Sequence, residues 1–262
     1  ILAGTSQSYF IKHMPGVSAV IICKNEELHI AAAIESLLWA DEVLVVDSGS
    51  TDTTLQIAAQ YPVKVLHHPF ENFSRQRNWA IDQTSQPWVL MLDADERIPS
   101  GLQQEMQELL HQEPEKAAYK IHRKNFFMGS HVRFSGWQND SVVRLFDKSR
   151  CRYSDKNVHE VLQVNGGTGK LNNKMLHYTY RDLAHYLEKW DSYTWLWAQD
   201  RHKPVTFVHL ALKPLVRFLK QYFLKLGILD GRVGFTIASL SAGSVFMRNL
   251  KAWRLQEEQK KQ

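Results

Sequence analysis

Cysteine is scarce: the 262 residues contain two, Cys23 and Cys151. That usage fits a reducing compartment. No C-x-x-C pair exists, which removes zinc sites of that kind. No apolar run reaches the ~20 residues of a membrane-spanning helix. The longest uncharged stretch, Val233 to Met247, is shorter and rich in Gly and Ser. The N-terminus lacks the basic region and apolar core of a secretory signal. Residues 1–15 read as a loose leader or as non-native residues, with Met14-Pro-Gly resembling a natural start. No G-x-G-x-x-G follows the first apolar run, so a dinucleotide fold is disfavoured. Asn165-Gly-Gly-Thr-Gly-Lys-Leu171 imitates a phosphate loop, but Val164 stands where its first glycine should be and Leu171 where Ser or Thr should be. It reads as a hairpin loop.

What is present is an ordinary globular composition with a net charge of +5 and a pI of about 9.1. That admits an anionic partner: a nucleotide, a phosphorylated glycan or a membrane surface. Nucleic acid is not expected, because the basic residues are not interleaved with a recognised nucleic-acid motif.

The informative stretch is Trp88-Val-Leu-Met-Leu-Asp-Ala-Asp-Glu96. A short unbroken apolar run after a proline predicts a strand buried on both faces. Its end carries Asp93, Asp95 and Glu96. Asp93 and Asp95 are two apart, so extended backbone would point them the same way. Clustered carboxylates repel unless a cation lies between them. Hard oxygen donors favour Mg2+ or Mn2+, which bind through few carboxylates plus substrate phosphates.

The pattern repeats along the chain. Val17 to Cys23 predicts a strand followed by Lys24-Asn-Glu-Glu27. Helical spacing runs from Glu26 to Trp39. Glu42 to Asp47 predicts a strand, Ser48 to Thr54 a turn with Thr51 or Asp52 as cap, and Leu55 to Tyr61 a helix. Val63 to His67 predicts a third strand, and Phe73 to Thr84 a helix carrying Arg75, Arg77 and Asn78. Alternation of this kind means a parallel sheet with right-handed crossovers. Acids at three strand ends, Glu26/Glu27, Asp47 and Asp93/Asp95, would line the edge at which α/β sheets bind ligands. Beyond it, Ser100 to Gln112 predicts a helix with Ser100-Gly-Leu-Gln103 as a capping box. Ala117 to Met128, Ser141 to Phe146, Asn157 to Leu162 and Lys174 to Tyr178 predict strands, partly antiparallel, and the chain is helical from Arg181.

Lys24-Asn-Glu-Glu27, Asp47-Ser-Gly-Ser-Thr-Asp52, Arg77-Asn78, Asp93-Ala-Asp-Glu96, Arg144-Leu-Phe146 and His159-Glu160 together resemble the family 2 glycosyltransferases, over about residues 16–180. The resemblance implies an α/β GT-A (nucleotide-diphospho-sugar transferase) fold with a mostly parallel central sheet. Residues 16–97 would form its nucleotide-binding half and 98–180 its acceptor-side half, with a C-terminal helical extension over 181–262. Lys213-Pro214 and Leu229-Asp-Gly-Arg-Val-Gly-Phe235 are similar to the branch that builds lipopolysaccharide core, nearest the β-1,4-glucosyltransferases acting on an inner-core heptose. The donor would then be UDP-glucose and the acceptor a core heptose. Other readings remain: another UDP-sugar or acceptor, or a non-catalytic peripheral membrane protein. A sugar nucleotidyltransferase is disfavoured, because Lys24-Asn-Glu-Glu27 replaces the Gly-rich loop such enzymes carry.

The resemblance places Glu26 or Glu27, with Asp47, near uracil and ribose. Asp93 would face ribose or metal, and Asp95 would bind Mg2+ or Mn2+. Arg77, Asn78 and Arg144 belong to the nucleotide-sugar site, with Arg144 facing either a phosphate or one of the acids. His177 is a candidate third metal ligand, or else a packed histidine. Inverting transfer needs a base opposite the leaving diphosphate. Glu160 is the first candidate and Asp140 the second. The helical third, basic and aromatic, reads as either a membrane-surface element or a packed cap. The surface reading puts the enzyme in the cytoplasm, at the inner face of the membrane.

Overall fold

The structure is a computed structural model, described here for residues 15–154, 161–180 and 182–260. Its elements form two units. The first holds residues up to His122 together with Ser141–Met175; the second holds Arg123–Asp140 together with Leu176–Gln262. The division is therefore not the linear one at residue 180: part of the acceptor-side half groups with the C-terminal helices.

In the first unit, β1 (Val17–Cys23) pairs in parallel with both β2 (Glu42–Asp47) and β4 (Trp88–Asp93), and β2 pairs in parallel with β3 (Lys64–His67). Then β8 (Ser141–Asp147) joins β4 antiparallel, and β6 (Ala118–Phe127) joins β8 antiparallel. Strand β11 (Thr168–Tyr180) and the two-residue β5 (Glu96–Arg97) complete the order β3-β2-β1-β4-β8-β6-β11-β5, while β7 (Ser130–Val132) pairs with β6. The small strands β9 (Cys151–Tyr153) and β10 (Leu162–Val164) form a separate ribbon.

Side chains alternate across the sheet, and the sequence supplies apolar residues to both faces. Val17, Ala19, Ile21, Val45, Leu90 and Leu92 pack with α1 (Ile30–Glu35), α2 (Thr54–Ala58) and α4 (Ser100–His111). Val20, Leu44, Val46, Val89 and Met91 pack on the other side with α3 (Phe73–Asp82) and β9. Each fully buried Ile or Leu contributes roughly 1.5–3 kcal/mol, which is why these strands are continuous apolar runs.

Three predicted features are corrected. The helix expected over 26–39 is only Ile30–Glu35. Asn25 adopts the left-handed region, φ 56°, and the amides of Glu26 and Glu27 bond to Thr54 and Asp52 instead of entering a helix. The capping box at Ser100 does not form: Pro99 is the N-cap and no side chain caps it. The hairpin loop expected over 165–171 does not form either: Gly166 and Gly167, at positive φ, link β10 to β11, but β10 pairs with β9 and Thr168–Leu171 already belong to β11.

The second unit is mainly helical. α5 (Leu183–Gln199) packs along α8 (Gly231–Gln259), joined where Lys251 Nζ meets Asp191 Oδ1 at 2.6 Å and Thr194 Oγ1 at 2.9 Å. Between them in sequence lie α6 (Phe207–Leu210), α7 (Leu212–Leu219), a π-helical turn Lys220–Leu224 and a 3-10 turn Gly227–Asp230. Asp230 accepts from the amides of Arg133 and Phe134 and from Ser135 Oγ, fixing that loop. At Gly234 a Cβ would lie 1.8 Å from the Gly227 carbonyl oxygen, so only glycine allows this approach.

Candidate active site

Because β1, β2 and β4 run parallel in tight register, their C-terminal ends form one edge. Cys23 is opposite Asp47, and Ile22 is opposite Asp93. This brings together the acids that the sequence places at strand ends.

Asp47 is buried and acts as the anchor of the turn after β2. It accepts from the amides of Gly49 (2.9 Å) and Ser50 (3.1 Å) and from Ser50 Oγ (2.5 Å), and His67 Nδ1 lies 3.3 Å away. The loop after β1 is stitched to this turn. Asn25 Oδ1 accepts from the Thr51 amide at 2.8 Å, and Asp52 accepts from the Glu27 amide at 3.2 Å. The Glu27 carboxylate accepts from Thr53 Oγ1 at 2.7 Å. Glu26 contributes its amide, to Thr54 Oγ1 at 2.8 Å. Behind the edge Cys23 is inert: burial and the neighbouring Asp47 push its thiol pKa upward.

At the end of β4, Asp93 is held by two guanidiniums. Arg77 Nη2 donates to its Oδ1 at 3.0 Å, and Arg144 Nη2 donates to its Oδ2. Arg144 also donates to Glu96 Oε1 at 2.8 Å, and Glu96 Oε2 accepts from the Asp93 amide at 3.1 Å. Burial alone would raise the Asp93 pKa; Arg144 and Arg77 outweigh it and hold the carboxyl well below its ordinary value. The same acids, against the opposing effect of burial, hold Arg144 firmly protonated. Arg77 is steered from above by Tyr153, whose ring centroid lies 5.4 Å from the guanidinium carbon.

This geometry revises several expectations. β4 ends at Asp93, and Ala94-Asp95 form a turn. Strand alternation therefore does not extend to Asp95. Asp93 is already neutralised by arginines, which weakens it as a metal donor. Asn78 ties α3 to β9, since its amide nitrogen donates to the Tyr153 carbonyl at 2.9 Å and its oxygen accepts from the Tyr153 amide at 3.0 Å. Arg75 pairs with Glu71 at 2.6 Å in an exposed helical ion pair. Arg144 faces acids, one of the two roles considered for it.

A divalent ion fits the donor chemistry in a restricted way. Among the described residues no three His, Cys, Asp or Glu side chains gather to hold a metal. Mg2+ and Mn2+ commonly take one or two carboxylates and complete their shells with diphosphate and water, and Asp95, half-buried at this edge, is a donor of that type.

Asp140 and His177 belong to the second unit. Arg123 grips the Asp140 carboxylate at 2.9 and 2.8 Å, and Asn125 Nδ2 donates to it at 3.0 Å. Burial raises the Asp140 pKa, but Arg123 and Asn125 bring it below the ordinary value. Asn125 Oδ1 lies 2.6 Å from His177 Nδ1. Since the Asn125 amide nitrogen is given to Asp140, its oxygen accepts the Nδ1 proton of His177. Glu160, like His159, lies outside the described residues.

Sequence reasoning left Glu96 and Tyr153 without roles. Glu96 carried a signal, being the third acid of its cluster. Tyr153 carried none, since its contact with Arg77 arises only in the folded chain.

The sequence model of glycosyl transferase family 2 matches residues 18–179, which contain this whole edge. The chain belongs to that family. This family 2 glycosyltransferase is 30% identical over 254 residues to a lipopolysaccharide core biosynthesis glycosyltransferase, LpsC, of Rhizobium meliloti (strain 1021), a match covering 90% of this chain and 94% of that one. It is 29% identical over 253 residues to a glycosyltransferase of Rickettsia typhi (strain ATCC VR-144 / Wilmington), covering 91% and 87% of the two chains. A solved glucosyl-3-phosphoglycerate synthase of Mycobacterium tuberculosis, in complex with Mn2+, uridine diphosphate and phosphoglyceric acid, is 25% identical over 44% of each chain, with a TM-score of 0.36. That likeness is too partial to bear on the ligands of this enzyme. The α/β architecture with helices following the sheet is the one expected of the family.

Proposed function

We propose that this glycosyltransferase moves glucose from UDP-glucose onto an inner-core heptose of lipopolysaccharide, with inversion at the anomeric carbon. The observation that carries the reading is the shared edge of β1, β2 and β4, where Asp47 and Asp93 end parallel strands and Asp95 lies in the turn directly after β4. The name of the Rhizobium meliloti relative, which covers nearly its whole length, supports the lipopolysaccharide core as acceptor.

In this reading the loop-to-loop bonds among Asn25, Glu27, Asp47 and Asp52 shape the uracil and ribose end. Asp93, fixed by Arg77 and Arg144, accepts from a ribose hydroxyl. Asp95 holds the divalent ion, which when bound supplies positive charge to the departing diphosphate. Glu160 takes the proton of the acceptor hydroxyl as its oxygen bonds to the anomeric carbon and the bond to the diphosphate oxygen breaks, releasing UDP. Asp140, neutralised by Arg123 and Asn125, is a poorer proton acceptor, which favours Glu160.

Calorimetric titration tests the reading. UDP-glucose should bind with Mn2+, more tightly than UDP-galactose or UDP-N-acetylglucosamine, and binding should be lost in EDTA and in Asp95→Ala. Binding led by another UDP-sugar would replace the donor, turnover undiminished in EDTA would remove the metal, and no binding of any uridine nucleotide would overturn the proposal.

A further inference from the structure

Soluble amphipathic helices bury their apolar stripe. The segment containing α6, α7 and the π-helical turn does the opposite. Val208, Leu212, the adjacent pair Leu215 and Val216, Leu219 and Phe223 recur at spacings of three and four, and all six are exposed. The side turned inward contains a polar residue: Gln221 is buried and donates to the Ser135 carbonyl at 2.8 Å. No residue of α7 is buried. At the two ends of the stripe Phe207 and Leu224 are 78% and 79% exposed. An apolar surface this continuous marks an interaction site.

The charge around it identifies the occupant. Between Asp200 and Asp230 the chain has no acidic residue, while Lys213, Arg217, Lys220 and Lys225 lie in or beside the stripe. A protein partner or a second copy would meet these cations with acids, and this segment has none to offer to its own copy. Anionic lipid headgroups match a basic rim around an apolar stripe, with the lysine and arginine stems lying along the apolar surface. Among the described residues no helix is long and apolar enough to cross a membrane, and α7 has eight residues against the ~20 needed to span. The element therefore suits insertion parallel to the surface, to a depth of roughly 5–10 Å.

We propose that Phe207–Leu224 is an in-plane docking element for an anionic phospholipid leaflet, with the stripe in the acyl boundary and the exposed Lys213, Arg217 and Lys220 among the headgroups. The inference stands on the second unit alone and does not depend on the donor or acceptor proposed above.

The test uses the full chain and vesicles of phosphatidylcholine with or without phosphatidylglycerol. The protein should co-sediment with the mixed vesicles and bind pure phosphatidylcholine at least about tenfold more weakly. The triple variant Leu215→Ser, Leu219→Ser, Phe223→Ser should lose about tenfold or more of the remaining affinity, with its melting temperature unchanged because all three residues are exposed. An independent measurement uses an environment-sensitive fluorophore on Leu219→Cys. The two native cysteines are buried, so labelling is selective. Its emission should shift to the blue on mixed vesicles, and that of Leu28→Cys, exposed in the first unit, should not. Failure to bind mixed vesicles, unchanged binding of the triple variant, or an unshifted Leu219→Cys label would each overturn the proposal. So would a solution dimer that the triple variant dissociates in the absence of vesicle binding, which would make the stripe an interface between copies.

Discussion

Replacing Arg144 by Met removes the cation shared by Asp93 and Glu96 while keeping most of the side-chain volume. The Glu96 side chain is fully buried and that of Arg144 is 5% exposed, so little water can take over. Asp93 keeps Arg77, while Glu96 loses the guanidinium and keeps the Asp93 amide. Breaking a buried pair by removing one partner costs about 3–5 kcal/mol, and at this chain length each kcal/mol moves the melting temperature by roughly 2–4 °C. Thermal unfolding of Arg144→Met should therefore fall by roughly 6–20 °C. Adding Glu96→Gln removes the buried charge that Arg144 neutralised and should recover about 1–2 kcal/mol. The pH dependence follows from Asp93, whose carboxyl lies below its ordinary value because of Arg144 and Arg77. Its stabilising contribution is complete above the unfolded value of ~3.9 and is lost as pH falls toward the folded one. The gap between wild type and Arg144→Met should accordingly narrow below about pH 4. A loss under about 1 kcal/mol, or a double variant no more stable than the single one, would refute this account of the cluster.

Glu160→Gln should bind UDP-glucose as the wild type does while transfer falls by about 10²–10⁴, measured as UDP release with acceptor; if Asp140→Asn alone gives that pattern, Asp140 is the base. Gly234→Ala should lower stability by roughly 3 kcal/mol, because its Cβ would meet the Gly227 carbonyl. Gly243→Ala, whose nearest neighbour is Trp190 at 3.8 Å, should be nearly neutral in the same denaturant titration.

The strands were legible because burial on both faces demands unbroken apolar runs, and β1, β2 and β4 lie where those runs lie. Their acids were legible because parallel pairing puts strand ends on one edge. The helix over 26–39 misled because periodicity records only which side chains are apolar. It is blind to a left-handed Asn25 and to amides claimed by Asp52 and Thr54 from another loop. The charge supplied to Asp93 through the fold was not legible: Arg144 arrives on an antiparallel strand added beside β4, and nothing near Asp93 in sequence announces it. The bonds of Asn78 to Tyr153 were hidden similarly, since an asparagine that completes a neighbouring strand's hydrogen bonds looks the same in sequence as one that binds a ligand. The division into units was hidden because it cuts through strands: the end of β6, β7 and the loop up to Asp140 group with the C-terminal helices, while the start of β6 and β8 do not.

The stitching of the loop after β1 to the turn after β2 bears on how a nucleotide would be received. Backbone amides from each loop are already bonded to side chains of the other, so arrival of a ligand need not bring the two together, and the entropy of ordering them is spent during folding. Under the proposed function, that end of the edge would work as a mould: selectivity would come from shape fixed beforehand, and the association rate would be set by encounter, with no wait for loop closure.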